Sequence, residues 1–376
     1  MNRATEAERR RLNELFQELC RIPSPFGRER PCADRVAAEL RGLGLEVEED
    51  DAGQTTDAEC GNLLARIPGG ADRTVLLCAH VDTVVPQAPI EPQVVDGGWV
   101  NAHPGILGAD NKAAVAVMLE VARRCATSDA PVGLELLYTV SEENALVGAK
   151  AFDVGRLRCD FGYVFDHASP IGEIVLASPT YYRIDADFHG TAAHAGIRPE
   201  EGRSAIAAAA RGVVAMRLGR IDEDTTVNVG RVEGGSASTN VVPERCRVEA
   251  ETRSLVDAKV EAMVSEIVDH LQDAANAAEC DLDVRVEKKF QGYRTRPSAP
   301  AVRAAEAALR ACGYEPRRIA TGSASDANAF EAAGLSCVNL ANGTERNHEP
   351  GERVSVAALE GMLDVALALL DAAAEC

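Results

Sequence analysis

Hydrophobic and polar positions along this chain follow two rhythms, and the change between them divides it. In the first part, Val75-Leu76-Leu77-Cys78-Ala79 and Leu134-Glu135-Leu136-Leu137-Tyr138 are almost unbroken in apolar residues, the pattern of strands covered on both faces. Helical spacing over 1–20 (Ala4, Leu12, Leu15, Phe16, Leu19), 28–43 and Lys112–Cys125 accompanies strands at Leu45–Glu49, Asn62–Ile67, Thr74–Ala79, Leu134–Val140 and Tyr163–Phe165. This predicts an α/β domain with a mostly parallel sheet. Beyond about Ser178 the strands alternate instead, at Tyr181–Phe188, Val227–Val232, Cys246–Glu251 and Leu282–Val286, with helices over Ser204–Met216 and Asp257–Glu279. The order βαββαβ predicts a ferredoxin-like α+β domain inserted at 179–293. Elements at Pro300–Gly313, Arg318–Ala320, Asp326–Ala333, Cys337–Leu340 and Val354–Ala374 resume the first rhythm, so the outer domain comprises 1–178 and 294–376.

Composition leaves that picture intact, and charge narrows it. With 376 residues, 46% hydrophobic and 26% charged, the chain can fill two cores and is neither disordered nor a coiled coil. A formal net charge of -20 argues against partners rich in phosphate, whether nucleic acid or an anionic membrane surface. The first twenty residues lack the apolar core of a signal peptide, and no stretch is long enough to span a bilayer. Eleven cysteines without a Cys-x-x-Cys pair read as reduced thiols, so a cytoplasmic location is expected.

The candidate chemistry lies where predicted strands end. His80 and Asp82 follow Thr74–Ala79, Glu142 and Glu143 follow Leu134–Val140, Asp166 follows Tyr163–Phe165, and His348 follows Cys337–Leu340; Asp110 precedes a helix. In open α/β sheets ligands bind beyond these carboxyl ends. Each residue has a plain structural explanation: a strand-end histidine paired with an acid, an Asp N-cap, a surface Glu-Glu pair. Together they supply the imidazole and carboxylate donors of a two-cation site, with one carboxylate left over as a base. Two carboxylates at the tip of an apolar strand repel unless a cation compensates. His103, His167, His189 and His270 read as structural, and no phosphate loop, nucleophile elbow or dinucleotide fingerprint is present.

The segments Leu76–Val84, Gly108–Ala113, Thr139–Asn144, Ala193–Gly196 and Ser325–Asn328, in this order, resemble the di-zinc exopeptidases typified by peptidase T, a family that includes bacterial glutamate carboxypeptidases, dipeptidases and aminoacylases. The resemblance covers essentially the whole chain. It implies that His80 and Asp166 bind one zinc and Glu143 and His348 the other, with Asp110 bridging. Glu142 becomes the general base, Asp82 the partner orienting His80, and His194 the donor to a developing oxyanion. Asn240, Arg253, Ser325 and Asp326 fall at substrate-contacting positions, and a cis Asp110–Asn111 bond is implied. The sequence departs from the pattern at His348-Glu349-Pro350-Gly351-Glu352, where a hydroxyl-bearing run is usual, and at Asn111, where aspartate is frequent.

The expected activity is hydrolysis of short peptides with two Zn2+ per subunit, Co2+ or Mn2+ fitting the same donors. An aminopeptidase acting on tripeptides heads the readings. A carboxypeptidase or N-acyl amino acid hydrolase uses the same metals, and a non-catalytic metal-binding protein is the remaining alternative. The inserted domain offers a sheet edge through which a homodimer could form.

Overall fold

The apolar runs become the middle of a sheet because only that position covers both of their faces. In the computed structural model, which describes residues 3–376, strands Gly133–Thr139, Thr74–His80, Phe161–His167 and Cys337–Ala341 lie side by side and parallel. Nearly every residue in them is buried. Antiparallel neighbours flank the four: Leu63–Ile67 and then Val47–Glu49 on one side, Glu173–Ser178 on the other. Arg317–Ala320 pairs in parallel with Glu173–Ser178. Glu173–Ser178 was not among the expected elements, although Ile174-Val175-Leu176-Ala177 carries its apolar signal. Helices Glu6–Cys20, Ala109–Thr127, Pro300–Cys312 and Val356–Ala374 share one hydrophobic core with the sheet.

A second, four-stranded sheet was also not anticipated. Pro92–Val95 and Gly98–Asn101 form a hairpin across Asp96-Gly97, both with positive φ, the Asp-Gly signature of a tight turn. Arg353–Ser355 pairs with this hairpin, and Thr344–Glu345 pairs with Arg353–Ser355. The expected helix start at Val354 is therefore corrected to Val356, where the Ser355 hydroxyl accepts from the Ala358 N–H at 3.0 Å.

The chain divides into two compact units: one runs up to Ala177 and resumes at Arg294, and the other is Ser178–Tyr293. In the inserted unit, strands run Gly219–Arg220, Thr225–Gly234, Arg245–Ser254, Thr180–His189, Asp281–Phe290, all antiparallel. This is the βαββαβ arrangement with one short strand added. Ile184, Phe188 and Val248 on one face meet Ile267 and Leu271 of helix Asp257–Ala277 and the alanines of Ala205–Ala215. At the junction, the Thr295 N–H donates to the Leu176 carbonyl at 2.8 Å. Gly292 has the backbone of Ser178 against it, so that a Cβ there would meet the Ser178 oxygen at 2.6 Å.

All eleven cysteines are free. Among the described residues, no helix is long and apolar enough to cross a membrane.

Candidate metal centre

The parallel strands all end at one edge of the outer sheet, which gathers residues far apart in sequence. His80 closes Thr74–His80, Asp166 is the penultimate residue of strand Phe161–His167, and Glu142-Glu143 follow Gly133–Thr139. Asp110 begins helix Ala109–Thr127, and His348 sits at the tip between Thr344–Glu345 and Arg353–Ser355. The Asp110–Asn111 peptide bond is cis.

Asp110 faces both imidazoles. Its Oδ1 is 3.4 Å from His80 Nε2 and its Oδ2 is 3.2 Å from His348 Nε2. His80 Nε2 is also 3.5 Å from Asp166 Oδ1, and His348 Nε2 is 2.8 Å from Glu143 Oε1. Ligand atoms of His80, Glu142 and Asp166 lie within 4.8 Å of one another, as do those of His80, Asp110 and Glu143. Proximity alone therefore admits Glu142 as a ligand as well as a base.

Asp82 is fully buried and does two things at once. Its Oδ1 lies 3.4 Å from His80 Nδ1, and its two oxygens accept the backbone N–H groups of Glu142 and Glu143 at 3.0 Å each. One carboxylate thus orients an imidazole and the adjoining acidic turn. Asn111 donates its amide to Asp166 Oδ1 at 3.2 Å, where an aspartate would add a repelling charge. Asp326 lies beneath the cluster, 1% exposed, accepting from Thr139 Oγ1 at 2.5 Å and facing Cys78. Ser325 is as deeply buried and caps helix Asp326–Ala332. Neither offers surface to a substrate, contrary to expectation, because the segment enters the core to start a helix.

Two carboxylates that the sequence did not single out brace the site. Glu29 accepts from Ser141 Oγ at 2.6 Å and from the Gly27 N–H at 2.7 Å, holding the residue before Glu142. Glu352 accepts three backbone N–H groups around Asp110. Neither carries a local signal, since each bonds turns distant in the chain.

Electrostatics follow from crowding acids away from water. Burial, and then the charge of Asp166, hold the Glu142 carboxyl well above its usual range; burial and Asp110 do the same to Asp166. Burial also works to raise Asp110, but hydrogen bonds with His348 and His80 overcome it and hold Asp110 low. Bonds to Asp110 and Glu143 push His348 up to about 10. Six acids (82, 110, 142, 143, 166 and 326) thus meet two imidazoles, and the cluster itself contains no lysine or arginine. Asp110 Oδ1 and Glu143 Oε1 are buried and face only the imidazoles of His80 and His348. A donor set of oxygen and imidazole with excess negative charge fits divalent cations.

In the inserted unit, His194 and Asn240 are exposed and close in the fold: His194 bridges to Val241, and the Asn240 carbonyl accepts the Ala195 N–H at 2.8 Å. Arg253 lies 4.5 Å over the Tyr181 ring and pairs with Glu251 at 3.1 Å, so it is not a loose strand-end charge. His103, His167, His189 and His270 each pair with an acid outside the cluster.

A family model described as the peptidase dimerisation domain matches residues 180–279, and one for peptidase family M28 matches 62–167. The chain is 35% identical to the uncharacterized protein YqjE of Bacillus subtilis over 369 residues, 97% of this chain and 99% of that one. Aminopeptidase PepT from Bacillus cereus is 36% identical with a TM-score of 0.87, the match covering 97% of this chain and 99% of that structure. A tripeptidase from Staphylococcus aureus is 32% identical with a TM-score of 0.93, over 98% and 99%. Likeness that runs end to end, through both the strand-end cluster and the insertion, means that the chain belongs to the peptidase T-like M20 metallopeptidases and hydrolyses peptide bonds.

Proposed function

We propose that this enzyme is an aminopeptidase of short peptides, tripeptides foremost, working with two divalent cations. The observation that carries the reading is the Asp110 carboxylate, whose two oxygens face His80 and His348 separately. A single carboxylate so divided suits the shared ligand of a cation pair. His80 and Asp166 would hold one cation and Glu143 and His348 the other. Zinc suits this mixture of imidazole and carboxylate, and Co2+ or Mn2+ fits the same donors.

When bound, two such cations supply Lewis acidity, favouring loss of a proton from water and polarising the scissile carbonyl. Glu142 is the base: a buried carboxylate, next to the ligands and fixed through its backbone by Asp82, accepts that proton and returns it to the departing amine. His194 and Asn240, held together on exposed loops, are assigned to substrate, His194 as hydrogen-bond donor to the oxyanion. Arg253 is kept as a candidate for the substrate carboxylate, with Glu251 and Tyr181 fixing its guanidinium. Asp326 and Ser325 are reassigned as supports beneath the site.

The aminopeptidase PepT and tripeptidase likenesses favour the amino-terminal reading. Incubating the enzyme with a tripeptide and its N-acetylated form, and identifying products by mass spectrometry, tests it. Release of the first residue from the free peptide alone is expected. Cleavage that persists after acetylation rejects the aminopeptidase assignment in favour of a carboxypeptidase or N-acyl amino acid hydrolase.

The match to a dimerisation domain supports a homodimer through the inserted unit. Ile206, Ala210 and Val214 form an exposed apolar stripe on helix Ala205–Ala215, with Val214 85% exposed. A sedimentation mass of one chain would reject the dimer. Free thiols throughout suit a cytoplasmic setting, and recovery of the enzyme from a non-cytoplasmic fraction of its cell would reject it.

A further inference from the structure

Glu352 is 1% exposed, and its carboxylate is spent on one turn. Oε2 accepts from the Leu107 N–H at 2.7 Å and the Gly108 N–H at 2.8 Å, while Oε1 accepts from the Asp110 N–H at 2.8 Å. Burying a carboxylate is costly unless charge-assisted hydrogen bonds offset it, so three converging amides mark a fixed arrangement. Those amides belong to the turn, left-handed at Gly108 (φ +75°), that opens helix Ala109–Thr127 and presents Asp110. Glu352 stands at the other foot of the tip that carries His348, and its own N–H closes that tip onto the Glu349 carbonyl at 3.1 Å. One buried side chain therefore ties the Asp110 turn to the His348 tip.

We propose that Glu352 is a positioning residue for the cation pair: it holds Asp110 and His348 in register, so that the shared carboxylate and the second imidazole are preset. The proposal rests on the reading of those residues as ligands. Glu352 touches neither substrate nor cation. Replacing it by glutamine keeps the volume but turns an NH2 group against backbone N–H donors, whichever way the amide lies.

The test strips the full-length enzyme of metal and titrates it with Co2+, following the visible absorption spectrum and competition with a chromophoric chelator. Circular dichroism reports folding alongside. The expected result is that Glu352→Gln stays folded but binds Co2+ about 10–100-fold more weakly, with an altered spectrum. Glu352→Asp, which keeps both oxygens, should recover part of the affinity. A purely structural role would lower thermal stability and leave the spectrum and affinities alone, and that outcome overturns the proposal. Should Glu352→Gln fail to fold, Glu352→Asp is read by itself: weakened Co2+ binding is expected, and wild-type binding overturns the idea. Wild-type enzyme that takes up fewer than two Co2+ would instead reject the two-cation reading, and this proposal with it.

Discussion

The two units of this enzyme handle charge in opposite ways. In the inserted unit, acids on the open face of the sheet meet arginines across and along its strands. Glu249 lies 3.0 Å from Arg183 on the neighbouring strand and 3.0 Å from Arg247 on its own, and Asp187 lies 3.5 Å from Arg247 on the neighbouring strand. In the outer unit, six carboxylates crowd the carboxyl end of the sheet with two imidazoles for company. One unit pairs acids of its open sheet face with arginines of the same chain, while the other gathers a buried surplus of carboxylates that an external cation can use. Surplus charge buried at a strand end marks chemistry; balanced charge on an open sheet marks solubility.

Glu142→Gln gives the largest contrast. It removes a proton acceptor from the crowded end without removing a proposed ligand, so turnover should fall by about 10²–10⁴-fold while metal content by elemental analysis stays unchanged. Loss of metal together with activity would make Glu142 a ligand, as its proximity to His80 and Asp166 permits.

Glu8 sharpens the comparison from inside the outer unit. Burial works to raise it, but hydrogen bonds from the Arg124 guanidinium overcome this and bring it down to about 2 from 4.5. A carboxylate lowered in the folded state stabilises fully above its unfolded value and loses that contribution as pH falls through the folded one. Glu8→Gln should therefore cost about 1–2 kcal/mol at neutral pH by urea unfolding. The gap from wild type should close between pH 4.5 and about 2; a gap independent of pH would deny the ion pair this role.

Glu249→Gln should do least. Partly exposed pairs contribute about 0–1 kcal/mol, so unfolding midpoints and peptide hydrolysis should both stay near wild type. A loss of several kcal/mol would show that the inserted sheet depends on its charges after all.

Sequence patterns foretold the parallel core because strands such as Thr74–His80 and Gly133–Thr139 are almost unbroken in apolar residues. They also placed His80, Glu143 and Asp166 at strand ends, Asp110 at a helix start and His348 in the loop after a strand, positions that are visible locally and that the fold brings to one edge. Bracing groups were not visible: Glu29 and Glu352 bond backbone amides, which leave no side-chain signature at the partner. The Asp96-Gly97 hairpin did carry a local signal, but its strands are only four residues each. Burial of Asp326 was hidden for another reason. An acid next to a serine at a helix start reads the same whether it turns outward or down into the core.

The hydrogen bond between Thr295 and Leu176 implies something about how this architecture tolerates change. The polypeptide departs from the outer sheet and rejoins it at almost one point. An excursion whose endpoints are already pinned adds little closure entropy as it lengthens. Ser178–Tyr293 can accordingly be regarded as a cassette, exchangeable for others of different size or partner preference without disturbing the strands that bear the acids.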